Sequence, residues 1–221
     1  MRYAIYYTPP ADHPLTLAAA AWLGRNAFDG SVTPVKHAFD DLVQAPRRYG
    51  FHATLKAPFS LKAGYGADDL ADRFGIFCME NRGFTLPALK LARIGSFLAL
   101  VNAEASSELD RLSSNAVEAF EPFRAALSDE DIARRNPQSL SPQQRAYLEK
   151  WGYPYVFDEF RFHMTLTGPV PDARMNAVEE ALLAHFGDHL GKPHDIETCA
   201  VFVERDQDRH FVIDTFSRLA K

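Results

Sequence analysis

Two near copies of one short motif decide the fold of this chain: Phe51-His-Ala-Thr-Leu-Lys-Ala-Pro58 and Phe162-His-Met-Thr-Leu-Thr-Gly-Pro169. The second copy begins 111 residues after the first, which predicts that one half of the protein duplicates the other. A histidine and a threonine two positions apart point to the same face of a β-strand. Each copy therefore presents an imidazole beside a hydroxyl group.

The two copies also predict a shared site. If a pseudo-twofold axis relates the halves, the two pairs of side chains face one another across a cleft. One neutral and one protonated imidazole can act as general base and general acid near neutral pH, and threonine hydroxyls can donate hydrogen bonds to a phosphate. We therefore predict four catalytic residues, His52, Thr54, His163 and Thr165.

The order of predicted elements after each motif supports the duplication independently. After the first motif, apolar periodicity predicts a helix and two strands, over 67–81, 84–94 and 97–103. After the second it predicts the same order, over 172–186, 196–204 and 210–216. The sequence thus predicts an α+β fold with two lobes, in which antiparallel sheets line a central cleft and helices lie outside.

The domain boundaries follow from the same pattern. Residues 1–105 are predicted to form an N-terminal lobe that holds the first motif, and residues 161–221 supply the C-terminal lobe elements with the second. Residues 106–160 are predicted to be a connecting helical segment with a possible flap, either a substrate-specific cover or a plain linker. The whole is expected to be one integrated bilobal domain.

Composition limits the classes of function. The net charge of −5 and the lack of long Lys/Arg runs argue against non-specific binding to long nucleic acid, whereas a small anionic ligand needs only a local positive site. The two cysteines lack metal-ligand spacing, and no apolar run approaches membrane-spanning length. We expect an unexported cytoplasmic protein that does not engage a membrane.

Residues that border the motifs are candidates for substrate binding. Lys56 follows Thr54 by two positions, so a regular strand would point it to the same face, where it could neutralise a phosphate. The other candidates could contact phosphate or stack on a base or sugar; they are Arg48, Tyr49, Tyr155 and Arg161. The alternative to substrate binding for these residues is that they are solvated or pack against the rest of the protein.

A metal site is not predicted. His185 and His189 have the i, i+4 spacing of helical zinc ligands, but the Glu of a His-Glu-x-x-His site is missing and Gly187 falls between them.

The duplicated His-x-Thr strands resemble those of the 2H phosphoesterase superfamily. The segments 49–59 and 151–168 are also similar to a bacterial subgroup, DUF1045, that is associated with phosphonate utilisation. The superfamily resemblance implies a bilobal α+β fold, chemistry on phosphodiesters or cyclic phosphates without metal or other cofactor, and roles for His52, Thr54, His163 and Thr165. The subgroup resemblance makes a cyclic ribose phosphate a substrate to consider.

The predicted reaction is the hydrolysis of a cyclic phosphate or small phosphodiester by two histidines. Because the motifs are nearly symmetric, the base and the acid are not assigned, and a bell-shaped pH dependence with limbs near neutrality is expected. Two alternatives stay open: a module that binds a phosphorylated ligand without catalysis, and a ligase-like enzyme that processes RNA ends with 2′,3′-cyclic phosphates.

Overall fold

One antiparallel sheet of seven strands runs through the molecule, as a computed structural model of residues Met1–Lys221 shows. Its strands are β1 (Tyr3–Tyr7), β2 (Ala53–Phe59), β4 (Leu89–Ile94), β5 (Phe97–Asn102), β6 (Met164–Thr165), β8 (Thr198–Glu204) and β9 (Phe211–Arg218). Two further strands, β3 (Phe84–Leu86) and β7 (His194–Ile196), pair with each other. Seven α-helices connect them: α1 (Pro14–Leu23), α2 (Asp40–Tyr49), α3 (Ala67–Glu80), α4 (Ser107–Phe120), α5 (Asp129–Arg134), α6 (Pro142–Trp151) and α7 (Asp172–Phe186).

The strand order places the two motifs side by side. The order in the large sheet is β4-β5-β6-β2-β1-β8-β9, so the motif strands β2 and β6 are neighbours at its centre, where Ala53 pairs with Met164. β6 pairs on its other side with β5, as β2 pairs with β1. The predicted α+β fold of antiparallel strands is confirmed, with the strands of both halves joined in one sheet.

Two predicted strands are each divided in the structure. The prediction over 84–94 becomes β3 and β4, separated at Pro87 and Ala88, and the prediction over 196–204 becomes β7 and β8, separated at Glu197. Each motif is therefore followed by one helix and three strands, and β3 pairs with β7 across the two halves. The difference preserves the repeat and extends it by one strand.

The apolar residues of the motifs anchor the site to the core. Phe51, Leu55, Phe162 and Leu166 are all buried within the main hydrophobic cluster. Full burial of one such side chain is worth about 1.5–3 kcal/mol, so the motif segments are strongly held in place. Histidine and threonine alternate with these anchors along the chain and remain partly accessible on the opposite face.

The segment between the halves is more structured than expected. Where residues 106–160 leave room for the predicted flap, α5 forms, capped by the Ser128 hydroxyl, which accepts a hydrogen bond from the Asp131 amide at 3.1 Å. The α6 helix begins after a second cap, Ser141, as the Ser-Pro pair predicts. None of the helices combines the length and the apolar character that crossing a bilayer requires.

Candidate active site

Both motifs open into one cavity of about 320 Å³ beside the motif strands. We call it the central cavity. The residues that line it are Arg2, Tyr6, Ala45, Pro46, Tyr49, His52, Thr54, Ala57, Pro58, Phe97, Arg135, Tyr153, His163, Thr165, Thr167, Gly168 and Pro169. All four residues predicted to be catalytic are among them, so the fold brings both His-Thr pairs to the same cavity.

The two histidines are held in the same way. The Nδ1 atom of His52 lies 3.0 Å from the Gly50 carbonyl oxygen, and that of His163 lies 2.7 Å from the Arg161 carbonyl oxygen. A carbonyl oxygen only accepts hydrogen bonds, so Nδ1 carries the hydrogen in both rings. In each neutral ring Nε2 then has the free lone pair, which is the arrangement a general base needs.

Burial keeps both imidazoles neutral in the free protein. It lowers the pKa of His52 to about 4, against the opposing effect of the Gly50 carbonyl, and the nearby His163 lowers it further. Burial also lowers the pKa of His163, against the effect of the Arg161 carbonyl. At pH 7 both rings are therefore available as bases, and an anionic ligand would be needed to favour protonation of either one.

The threonine hydroxyls differ in their contacts. The Thr54 Oγ1 atom lies 3.4 Å from Nε2 of His52, at the outer limit of a hydrogen bond. The hydroxyl of Thr165 makes no hydrogen bond within the protein, although the residue lines the cavity. Both hydroxyls can therefore turn their hydrogen atoms toward a bound anion without giving up a strong contact.

Tyr6 supports the first histidine and was not identified from the sequence. Its ring is stacked on the His52 ring, with centroids 3.8 Å apart and planes 20° apart. Tyr6 lies on β1 opposite Thr54, so the sheet register places it on the same face as the motif side chains. The sequence predicts the strand, but the pairing of β1 with β2 is needed to bring these rings together.

Three of the five candidate binding residues lie at the site. Tyr49 lines the central cavity, and Tyr155 and Arg161 line an adjoining space of about 480 Å³. We call that space the aromatic chamber; its lining residues are Thr54, Ile94, Phe97, Gln144, Tyr153, Tyr155, Glu159, Phe160, Arg161 and His163. It shares Thr54 and His163 with the central cavity, so a ligand at the histidines can extend into it.

The placement of Lys56 was wrong. Tyr6 pairs with Thr54 and the next residue of β1, Ile5, pairs with Lys56, so β2 carries one extra residue, a β-bulge, at Leu55. The bulge reverses the alternation of side chains and turns Lys56 to the opposite face. There its Nζ atom lies 3.0 Å from the Val117 carbonyl oxygen and 2.7 Å from the Glu121 carboxylate.

This geometry predicts a structural role for Lys56. The side chain is only 3% exposed, and its ion pair joins β2 to the end of α4. We expect Lys56→Met to lower the free energy of unfolding by about 1–3 kcal/mol, less than for a fully isolated buried pair because Arg124 also binds Glu121. Urea unfolding measures this effect, and Lys62→Met, at an exposed position, is the matched control.

The same substitution separates stability from catalysis. Folded Lys56→Met protein should retain whatever activity wild type shows within about threefold, since the side chain lies outside the central cavity. A large loss of activity with unchanged stability would show that Lys56 takes part in substrate binding or catalysis.

Arg48 does not line the central cavity, and its role in substrate binding stays a prediction. Its guanidinium lies outside the central cavity, where it forms an ion pair with Glu204 and donates from Nε to the Arg209 carbonyl oxygen at 2.8 Å. Burial alone would raise the pKa of Glu204, but hydrogen bonds from Arg2 and Arg48 outweigh it and lower that pKa to about 2. The sequence shows Arg48 next to the motif but not the distant carboxylate that holds it.

Two cavity residues come from the connecting segment. Arg135 follows α5 and Tyr153 follows α6, and the Arg135 guanidinium lies 4.9 Å from the centre of the Tyr153 ring. Arg135 forms no ion pair with a carboxylate, in contrast to Arg2, which binds Glu204 through two hydrogen bonds of 2.7 and 3.0 Å. The basic pair Arg134-Arg135 is visible in the sequence, but only the fold of residues 128–160 carries it to the motifs.

No three histidine, cysteine or acidic side chains are grouped so that they could hold a metal ion. Of the two histidines with metal spacing, His185 contacts the Ala18 carbonyl oxygen through Nε2 at 2.8 Å.

Comparison with protein families matches residues 54–212 to a family described as protein of unknown function, DUF1045. Two curated relatives are both named ribose 1,5-bisphosphate phosphokinase PhnN. The one from Janthinobacterium sp. (strain Marseille) is 37% identical over 80% of this chain and 40% of the relative. The one from Laribacter hongkongensis (strain HLHK9) is 32% identical over 96% of this chain and 50% of the relative. The chain thus spans about half the length of these relatives, or less.

Solved structures with a similar arrangement include E. coli LigT complexed with 3′-AMP, with a TM-score of 0.48 and 12% identity over 100% of this chain and 98% of LigT. A structure described as a phosphoesterase has a TM-score of 0.45 and 10% identity over the same shares of the two chains.

Proposed function

The chain belongs to the DUF1045 family of proteins of unknown function, and we propose that it is a phosphoesterase that opens a cyclic phosphate, or cleaves a small phosphodiester, with two histidines. The observation that carries this proposal is the matched pair of imidazoles in one cavity. Each has its Nδ1 hydrogen fixed on a backbone carbonyl two residues earlier, which leaves Nε2 for proton transfer.

The proposed reaction is an attack of water on phosphorus. The neutral Nε2 of one histidine accepts a proton from the water as the new P–O bond forms, and the protonated Nε2 of the other donates a proton to the leaving alkoxide as the ring P–O bond breaks. The product is a phosphate monoester with a free hydroxyl. The protonation states of the two rings are then exchanged, and solvent must restore them before the next turnover.

The proposal assigns the threonines to the phosphate oxygens. Negative charge on the nonbridging oxygens must be stabilised as water adds, and donors that are already in place do this most effectively. Thr54 and Thr165 provide one hydroxyl from each motif, and Tyr6 keeps the His52 ring in its orientation by stacking. Which histidine acts as base depends on the direction in which the substrate lies.

Two similarities to other proteins suggest the class of substrate. The motif segments resemble proteins associated with phosphonate breakdown, and the curated relatives are named for a ribose bisphosphate. The kinase activity in that name belongs to those proteins; the ribose phosphate suggests a substrate for this one. We therefore propose a ribose or nucleoside cyclic phosphate as the substrate, within phosphonate catabolism.

The proposed location is the reducing cytoplasm. Cys78 and Cys199 are buried and unpaired, and burial raises the pKa of both thiols, which makes them poorly reactive. No cofactor takes part in the proposed reaction.

The depressed histidine pKa values predict an acid-shifted pH profile. The active form has one protonated and one neutral imidazole, and in the free protein both pKa values lie below the ordinary 6.5. We expect kcat/KM to be bell-shaped with its alkaline limb below about pH 6.5, rather than near neutrality, and kcat to have a more alkaline limb because the bound phosphate anion favours protonation.

The pH experiment needs a control for folding. Because the pKa of His52 is about 4 in the folded protein and about 6.5 when unfolded, the unfolded state binds more protons between these values, and stability falls as pH falls through this window. Circular dichroism at each pH identifies the range in which the protein stays folded. A kcat/KM profile that is flat from pH 5 to 9 would contradict the two-histidine reaction.

A panel of substrates tests the proposed function. It contains nucleoside 2′,3′-cyclic phosphates and ribose 1,2-cyclic phosphate, each incubated with wild-type protein and EDTA. We expect monoester product from at least one of them. Absence of product together with calorimetric binding of a panel member would show instead a module that binds phosphorylated ligands.

A further inference from the structure

A third cavity, rich in arginine, adjoins the central cavity, with which it shares the lining residues Arg2, Tyr49, Pro58 and Arg135. It encloses about 270 Å³, and we call it the arginine chamber. Four arginines line it: Arg2, Arg48, Arg134 and Arg135. Arg2 and Arg135 also line the central cavity, so the two spaces share a wall of positive charge.

The arginines outnumber the carboxylates that could neutralise them. Asp131 is the acidic residue in the lining and is paired with Arg134. Glu204 is not part of the lining; its side chain is 1% exposed and forms ion pairs with both Arg2 and Arg48. Four arginines against two carboxylates leave an excess of two positive charges, although the protein as a whole has a net charge of −5.

Glu204 fixes the orientation of the arginines that it binds, and its single negative charge does not neutralise all of them. Its two oxygens hold the Arg2 guanidinium by two hydrogen bonds, and the same carboxylate pairs with Arg48 and, at 3.2 Å, with Arg209. Three cations on one buried carboxylate fix the direction of the guanidinium groups. Such preordered groups bind an anion without losing much side-chain entropy, and the guanidinium fork suits phosphate oxygens.

Arg135 is the member best placed to move onto a ligand. It has no acidic partner, lies over the Tyr153 ring, and borders both cavities. A substrate with one phosphate at the histidines and another in the arginine chamber would place negative charge on both sides of this guanidinium.

We propose that the arginine chamber binds a second phosphate group of the same substrate, so that the preferred substrate is a sugar or nucleoside cyclic phosphate that also carries a phosphate monoester. This inference rests on the function proposed above. The cyclic phosphate lies between the histidines, and the terminal phosphate lies in the arginine chamber against Arg134 and Arg135, whose lining also includes Arg2 and Arg48 as oriented by Glu204. The class of reaction that supplies such a substrate must leave its terminal phosphate intact.

The test compares substrates that differ only in the second phosphate. The pairs are adenosine 2′,3′-cyclic phosphate with and without a 5′-phosphate, and ribose 1,2-cyclic phosphate with and without a 5-phosphate. For at least one pair, kcat/KM in wild type should be about tenfold or more higher for the phosphorylated member. Arg134→Gln/Arg135→Gln should reduce that ratio to within about threefold of one, whereas Arg73→Gln, at an ion pair on α3, should not change it.

If the double variant does not fold, the single variant Arg134→Gln provides the same readout. Arg134 lines the arginine chamber but not the central cavity, and its side chain is exposed, so its replacement should not disturb folding. Equal kcat/KM values for both members of each pair in wild type would overturn the proposal. So would binding of inorganic phosphate that depends on Arg134 and Arg135 without any preference for the phosphorylated substrates, which would indicate an independent anion site.

A protein that binds phosphorylated ligands without catalysis would give a different result in this test. If no compound is turned over, calorimetry of the same pairs decides the matter. Tighter binding of the phosphorylated members that is lost in the double variant would support the chamber even in a protein that only binds, and equal binding would overturn it.

Discussion

His52→Asn and His163→Asn should each lower kcat/KM for the cyclic phosphate substrate by a factor of about 100 or more. Asparagine keeps an amide donor for the Gly50 or Arg161 carbonyl oxygen, as Nδ1 does now, but it has no group at the position of Nε2. General acid or base catalysis by one side chain contributes about 10²–10⁴-fold, and the proposed reaction uses one histidine for each proton. Steady-state kinetics at the pH optimum of wild type measure both effects.

Non-additivity provides a sharper form of this test. Because the two imidazoles act on one transition state, the kcat/KM of the double variant should be only a little lower than that of the less active single variant, as expected for residues that act as a unit. The His189→Asn variant is the matched control, since His189 lies outside the central cavity. Retention of activity within about threefold in either motif variant would remove that histidine from the catalytic mechanism.

Thr54→Val and Thr165→Val should each lower kcat by about 10–1,000-fold with a smaller effect on KM. Valine has nearly the same shape as threonine and suits a β-strand, so the change removes the hydroxyl and little else. Loss of one donor to a developing oxyanion costs about 10²–10³ in kcat in well-studied cases, and an uncharged hydroxyl with some freedom to turn is expected toward the lower part of the range.

The two threonines need not be equal. Thr54 lies near Nε2 of His52, whereas Thr165 has no partner in the protein, so the Thr165 hydroxyl is the freer to follow the phosphate oxygens. Thr215→Val on β9 is the control for loss of a strand hydroxyl, because Thr215 donates only to the neighbouring Asp214 carboxylate at 2.9 Å. A rise in KM with unchanged kcat in both motif variants would show that the hydroxyls bind the ground state and do not stabilise the transition state.

The sequence predicts the centre of the site because the relevant information is local and repeated. Histidine and threonine at i and i+2 share a face of any regular strand, and their recurrence with buried Phe and Leu on the other face identifies both segments as the same structure. The helix and strands after each motif follow from apolar periodicity in the same way. These features need no knowledge of distant contacts.

The errors at the site arise where local alternation fails. Lys56 was expected on the face of Thr54, but the bulge at Leu55 reverses it, and nothing within the motif reveals a bulge that the pairing with β1 creates. Arg48 borders the motif in the sequence, but its ion pair with Glu204, 156 residues away, holds it outside the central cavity and in the lining of the arginine chamber. Both placements depend on contacts that exist only after the sheet has formed.

The residues that were missed share the same origin. Tyr6 reaches His52 through the pairing of β1 and β2, and Arg135 and Tyr153 reach the cavity through the fold of residues 128–160. That this segment forms a cover over the substrate stays a prediction. Its contribution of an arginine and an aromatic ring could not be deduced from periodicity, which describes burial and not proximity to a site.

The most direct test of the central claim is a ³¹P NMR experiment in H₂¹⁸O with EDTA, in which protein is mixed in separate samples with an equal concentration of each nucleoside 2′,3′-cyclic phosphate and of ribose 1,2-cyclic phosphate. Equal concentrations make even slow conversion visible. We predict that for at least one compound the cyclic phosphate signal is replaced by a monoester signal with the isotope shift of one ¹⁸O, because water attacks phosphorus, and that His52→Asn protein leaves that cyclic signal in place. Cyclic phosphate signals that keep their full intensity with wild-type protein for every compound, with broadening of at least one of them, would contradict the account and would identify a phosphate-binding module.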